Sequence, residues 1–153
     1  MVSPKEIILP EPIVDIAAGG SFSLFLASSG ALYSCGYGPG TGAGGDVTIP
    51  SPARVACPHR LTSISASLDH AAGVTVEGGL VRWGRGQHNK LVAVEDDDIT
   101  EPLLLEDLPN KVNHVVCGPI KTCIITDTPI KNCSGLGVIE GEEDLEDLRP
   151  KIR

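Results

Sequence analysis

The chain repeats itself at an interval of about fifty residues, and an interval of that size limits its fold more than any other feature. Residues 17–36 hold an apolar run, a Ser-Ser-Gly turn, a second short apolar run and a closing glycine. Residues 65–84 repeat the pattern and end in Arg82-Trp83-Gly84; residues 116–135 repeat it more weakly. Gly19, Ser67 and Gly118 stand 48 and 51 residues apart, and Cys35, Trp83 and Cys133 stand 48 and 50 apart. Pro4, Pro52, Pro102 and Pro150 follow at 48, 50 and 48. Ile7, Val55 and Leu105 each lie three places after one of the first three prolines. In such an array each unit is one supersecondary element that cannot bury its apolar face alone and must stack on its neighbours.

The units are built of strands. Eighteen glycines and 12 prolines punctuate a chain that is 41% hydrophobic and only 3% aromatic, a balance that favours many short strands over long helices. The fold expected is all-β, with about three four-stranded sheets in units 4–50, 51–100 and 101–148. The first unit reads as strands at 7–9, 13–18, 22–27 and 31–35, and the second as 54–56, 62–66, 70–76 and 80–83. The third is degenerate, with strands at 103–105, 112–117 and 122–126 and an acidic loop at 138–148. The run 22–27 is apolar at nearly every residue, as expected of a strand covered on both faces. Ser28-Ser29-Gly30 and Glu77-Gly78-Gly79 are hairpins in which Gly30 and Gly78 supply positive φ. The third hairpin, Asp127-Thr128-Pro129, lacks a glycine, and Pro129 should shorten the next strand or leave it at an edge.

Charge and composition exclude several classes. A net charge of −8 with a pI of about 4.8 disfavours non-specific binding to nucleic acid or an anionic membrane. No apolar run approaches the roughly 18 residues of a membrane span. Met1-Val2-Ser3-Pro4-Lys5 lacks the apolar core of a secretory signal, so an intracellular location, cytoplasmic or nuclear, is expected. Five cysteines, none in a C-x-x-C pair, read as reduced thiols rather than a disulfide framework. Cys35 and Cys133 fill the slot of Trp83, which marks that slot as a packing position.

Motifs that could carry chemistry fare poorly. The glycine run at 36–45 follows a strand but opens no helix, and no Lys-Ser/Thr pair follows it, so it does not read as a phosphate cradle. Cys57 and His59 lack a second ligand pair for zinc. His70 lies in a patterned strand, but Phe22 and Lys121 take its place in the other units, so no shared chemistry depends on it. No catalytic residue, cofactor or metal is expected.

The residues that recur resemble the regulator of chromosome condensation repeat. The resemblance runs through Pro4, Ile7, Ile13, Ala17-Ala18-Gly19, Gly30 and Leu32-Tyr33-Ser34-Cys35-Gly36. It returns at Asp69-His70-Ala71, Gly78 and Arg82-Trp83-Gly84. Gly19, Gly30, Gly36, His70, Gly78, Trp83, Gly84 and Gly118 form the structural signature. The resemblance implies blades of a β-propeller, a four-stranded antiparallel sheet each, in a ring of seven. Three blades cannot close a ring, so this is expected to be part of a larger propeller whose other blades come in cis or in trans.

Functionally the resemblance implies a non-catalytic module that binds a protein partner through its loop faces. The alternative is a portion of a guanine nucleotide exchange factor for a small GTPase, the activity of the family's founder. The acidic residues add a candidate surface. Asp46, then Glu95, Asp96, Asp97 and Asp98, then Glu140, Glu142, Glu143, Asp144, Glu146 and Asp147 hold similar places in their units. They are expected to form one acidic rim for a partner with a basic surface.

Overall fold

The computed structural model describes residues 3–89, 91, 97–106, 108, 110–127 and 136–140, the last five by their backbone. The described strands are β1 (Ile13–Ala18), β2 (Phe22–Ala27), β3 (Leu32–Tyr37), β4 (Thr48–Arg54), β5 (Leu61–Ala66), β6 (His70–Thr75), β7 (Leu80–Gly84), β8 (Ile99–Leu104), β9 (Val112–Cys117), β10 (Thr122–Thr126) and β11 (Leu136–Glu140). They form two four-stranded sheets, β1-β2-β3-β4 and β5-β6-β7-β8, and a three-stranded sheet, β11-β10-β9. Every pair in the first two sheets is antiparallel. The architecture is all-β, a stack of propeller blades. Among the described residues no helix is long and apolar enough to cross a membrane.

Three differences from the sequence expectation have physical causes. Residues 7–9 are not in a strand; a strand is a paired state, and no neighbour bonds to them. The hydrogen-bonded sheets are offset from the proline-bounded units, because β4 pairs Arg54 with Tyr33 of the preceding strand and β8 pairs Leu104 with Val81. Each outer strand thus completes the blade before it. In the third sheet β11 runs parallel to β10, with Thr122 opposite Leu136 and Thr126 opposite Glu140, in place of the antiparallel return expected. Pro129 lies outside the described residues.

The core sits between blades. One cluster joins Phe22, Leu24, Leu26 and Leu32 of the first blade to Leu61, Ile64, Ala71, Val81 and Trp83 of the second. Another joins Ala72, Val74 and Leu80 of the second blade to Val112, Val115 and Ile124 of the third. Alternate residues of β6 and β7 therefore face opposite neighbours, and every residue of both strands is buried. β2 has the more apolar sequence, yet Ser23 and Phe25 are only half-buried. Among the described residues no sheet lies against its outer face.

Trp83 is the largest buried side chain and is fully enclosed. Its indole Nε1 donates to the Gly40 carbonyl at 2.8 Å, which ties the single 3-10 turn Pro39–Thr41 of the first blade to the second. Gly36 and Gly84 explain the glycine that closes each unit. Both have positive φ, +110° and +112°, and a Cβ on either would collide with backbone atoms of Ser21 and Phe22 or of Asp69 and His70. The hairpin glycines Gly30 and Gly78, at φ +88° and +86°, bind the next blade: their carbonyls accept from Leu61 N at 3.0 Å and Val112 N at 2.8 Å.

Replacing Trp83 with alanine removes this link and opens a cavity at the first junction. The expected loss is about 3–5 kcal/mol, read as a lowered urea midpoint. A loss below about 1 kcal/mol would show that the junction does not depend on the indole.

Candidate interaction surface

In an antiparallel blade the connections before and after the middle hairpin lie at one end, opposite the hairpin turn itself. One end of this stack carries the tight turns 19–21, 67–69 and 118–121 and the long loops that follow β3 and β7. The sequence placed its acidic rim at that end. Loop 38–47 owes its shape to glycine: Gly42 packs against Trp83 and Pro102, and Gly44 N donates to Thr100 O at 3.1 Å. The glycine run thus lets one blade's loop lie on the next blade.

Arg85 is the centre of the surface, and sequence reading missed it. Its Nη2 donates to both carboxylate oxygens of Asp46, at 2.9 and 3.1 Å, and its Nη1 to Asp98 Oδ2 at 2.7 Å. Asp98 Oδ1 also accepts from the Gly86 amide at 3.0 Å. The Asp98 hydrogen bond, with Asp46 beside it, holds the guanidinium above its ordinary pKa. Two acids 52 residues apart in sequence are thus gathered on one basic residue. The available signal was the lone arginine in the repeat-equivalent loop Gly84-Arg85-Gly86.

The other acidic residues fall into three groups. Asp97 is exposed beside Asp98. The backbone of Glu140 lies at the Thr126 end of β10, away from the turn 118–121, because β11 runs parallel. Glu95, Asp96, Glu142, Glu143, Asp144, Glu146 and Asp147 lie outside the described residues. The structure brings Asp46, Asp97 and Asp98 to one loop face and does not bring Glu140 there.

Two buried polar groups hold the surface from below. Arg82 donates from Nε to Leu91 O and from Nη1 to Leu103 O, both at 2.9 Å, and burial lowers its pKa. His70 is fully buried, with Nε2 at 3.1 Å from Thr122 Oγ1 of the third blade. It acts as a link between blades, consistent with the structural role expected of it. Gly19 and Gly118 donate to the carbonyls of Phe22 and Lys121, as Ser67 does to that of His70, so the three slots are equivalent in space as well as in sequence.

The thiols at Cys35, Cys57, Cys117 and Cys123 are free. Among the described residues no group of acids, histidines and cysteines could hold a metal ion. Burial pushes the Cys117 thiol up to about 12, against the loss of water on the inner face of β9.

These features define the class: four-stranded antiparallel sheets stacked face to face and repeated at about fifty residues are blades of a β-propeller. Residues 13–39 match the family profile described as the Regulator of chromosome condensation (RCC1) repeat, and the chain belongs to that repeat family. Human E3 ubiquitin-protein ligase HERC2 is 33% identical over 150 residues, covering 88% of this chain and 3% of the ligase. The human RCC1-like G exchanging factor-like protein is 30% identical over 148 residues, covering 92% of this chain and 32% of that protein. The structure of Prp20p from Saccharomyces cerevisiae, reported with its binding properties to Gsp1p and histones, superposes with a TM-score of 0.71 at 26% identity, covering 94% of this chain and 35% of that one. The chain thus spans about a third of the yeast and exchange-factor-like proteins and a small part of the ligase.

Because a thiolate rather than a thiol is the nucleophile, Cys117 should resist alkylation in the folded protein at pH 8 and react at once on unfolding. The raised pKa is a contribution to stability that is present below the ordinary value of about 9 and is lost as pH rises through about 12. Mass spectrometry after timed alkylation checks the first point. Rapid native labelling of Cys117 would contradict it.

Proposed function

We propose that the chain is a non-catalytic protein-interaction module that works within a larger propeller, with further blades against its two end faces. The observation that carries this reading is the state of those faces. Val14 and Ile16 on the outside of the first blade are 63% and 70% exposed, and Val116 on the outside of the third blade is 50% exposed. The equivalents of Ile16 in the later blades are buried core residues. Faces of this kind are junctions without their neighbour.

The partner reading rests on the loop face. Arg85 offsets Asp46 and Asp98, and among the described residues no ion pair reaches Asp97, which suits a basic protein segment steered by charge. Asp96→Asn with Asp97→Asn should slow association with such a segment and flatten its salt dependence, leaving Asp98 to its pair with Arg85. Unchanged association and salt dependence, measured by surface plasmon resonance, would reduce the rim to a solvated surface.

The second reading, a portion of an exchange factor for a small GTPase, is favoured by the likeness to the exchange-factor-like protein and by Prp20p's binding to Gsp1p. It predicts accelerated release of labelled GDP from at least one member of a small-GTPase panel, once the chain is joined to its completing blades. No acceleration with any member, alongside intact binding of a protein partner, would leave the interaction module as the account.

A further inference from the structure

The open faces of the stack can be compared, position by position, with the two closed junctions. Ile16, Ile64 and Val115 occupy one column of the fold, each opposite the matching residue of the next strand: Phe25, Gly73 and Ile124. Ile64 and Val115 are 6% and 1% exposed within their junctions, whereas Ile16 is 70% exposed. The first blade therefore presents a finished contact surface that no other sheet covers among the described residues.

The polar slot gives a second rule. Phe22 and His70 open equivalent strands and face the following blade, and Lys121 holds the equivalent place just before β10; the next residues, Ala71 and Thr122, face the preceding blade, and Ser23 holds the same place in β2. At the first junction the ring of Phe22 shares its cluster with the methyl of Ala71. At the second, His70 meets the hydroxyl of Thr122 at 3.1 Å. An apolar slot is matched by a methyl group and a polar slot by a hydroxyl. On the open faces the slot residue is Lys121 and the available match is the hydroxyl of Ser23.

Size follows the same pattern. Leu24 of the first blade belongs to a junction where the second blade offers Gly73, while Ala72 of the second faces a junction where the third offers Ile124. Large meets small each time. The open faces offer Cys123 on the third blade and Phe25 on the first, both half-buried, again a small residue against a large one. The segment before β1 does not obstruct this face: Glu11 accepts from Ser29 and Tyr33 at 3.0 and 3.3 Å and leaves Val14 and Ile16 uncovered.

We infer that a second copy of this chain docks its first blade onto the third blade of the first copy, head to tail, with Lys121 against Ser23 and Cys123 against Phe25. The inference rests on the reading that further blades cover the end faces, and adds that the chain can supply them itself. The contact is heterologous, since it joins two different surfaces, and this makes it separable by mutation.

Sedimentation velocity on the full chain tests it. The unaltered protein should gain mass with concentration. Ile16→Glu blocks the first-blade face and Val116→Glu the third-blade face; both positions are exposed, so neither change disturbs the core, and circular dichroism confirms the fold. Each variant alone should remain a monomer, because every contact needs one of each face. Mixed one to one, they should form a dimer and nothing larger, through the single intact pair of faces. An unaltered chain that stays monomeric at its highest soluble concentration overturns the inference, as does a variant that still dimerises by itself or a mixture that stays monomeric. The first of these outcomes leaves the interaction-module reading to its own binding assay, which uses the loop face and not the ends.

Discussion

A β-sheet has two faces, and among the described residues only the middle sheet has both of them covered. Apolar burial drives that arrangement: all of β6 and β7 is sequestered, with alternate side chains entering two separate clusters. At roughly 25 cal/mol for each Å² of apolar surface removed from water, facing sheets gain what none gains alone. Directed bonds then fix the register between blades. The hairpin carbonyls of Gly30 and Gly78, the indole of Trp83 and the imidazole of His70 each reach across a junction. The loop face depends on the same stacking, because Arg85 can meet Asp46 only if the first two blades are locked together.

Much of this was legible in the sequence. The spacing of Gly19, Ser67 and Gly118 located the turns whose amides bond to Phe22, His70 and Lys121, and the family and fold followed from residues that the structure puts in equivalent places. The glycines were legible because their roles are local: a positive φ or a close backbone approach leaves its mark at one position. The role of Trp83 as packing could be inferred from the cysteines that replace it.

What was not legible depended on pairing at a distance. The strand expected at 7–9 has the composition of a strand but no partner, and composition cannot report partners. Whether β4 belongs to the blade before or after it depends on a hydrogen-bond ladder between Tyr33 and Arg54, which no periodicity reveals. The direction of β11 was likewise hidden, and with it the separation of Glu140 from the loop face. The acids were read as a single-signed rim because the cation that pairs with two of them, Arg85, lies 39 residues from Asp46 and 13 from Asp98.

The central claim is that the blades are stabilised by their neighbours, so that protection follows the number of covered faces. Native-state hydrogen exchange read by mass spectrometry tests this most directly. The amides of β6 and β7 should exchange most slowly, and those of β1 and β10, each in a sheet with one open face, should exchange measurably faster. Equal protection across all three sheets, or slowest exchange in the first or third, would contradict the account.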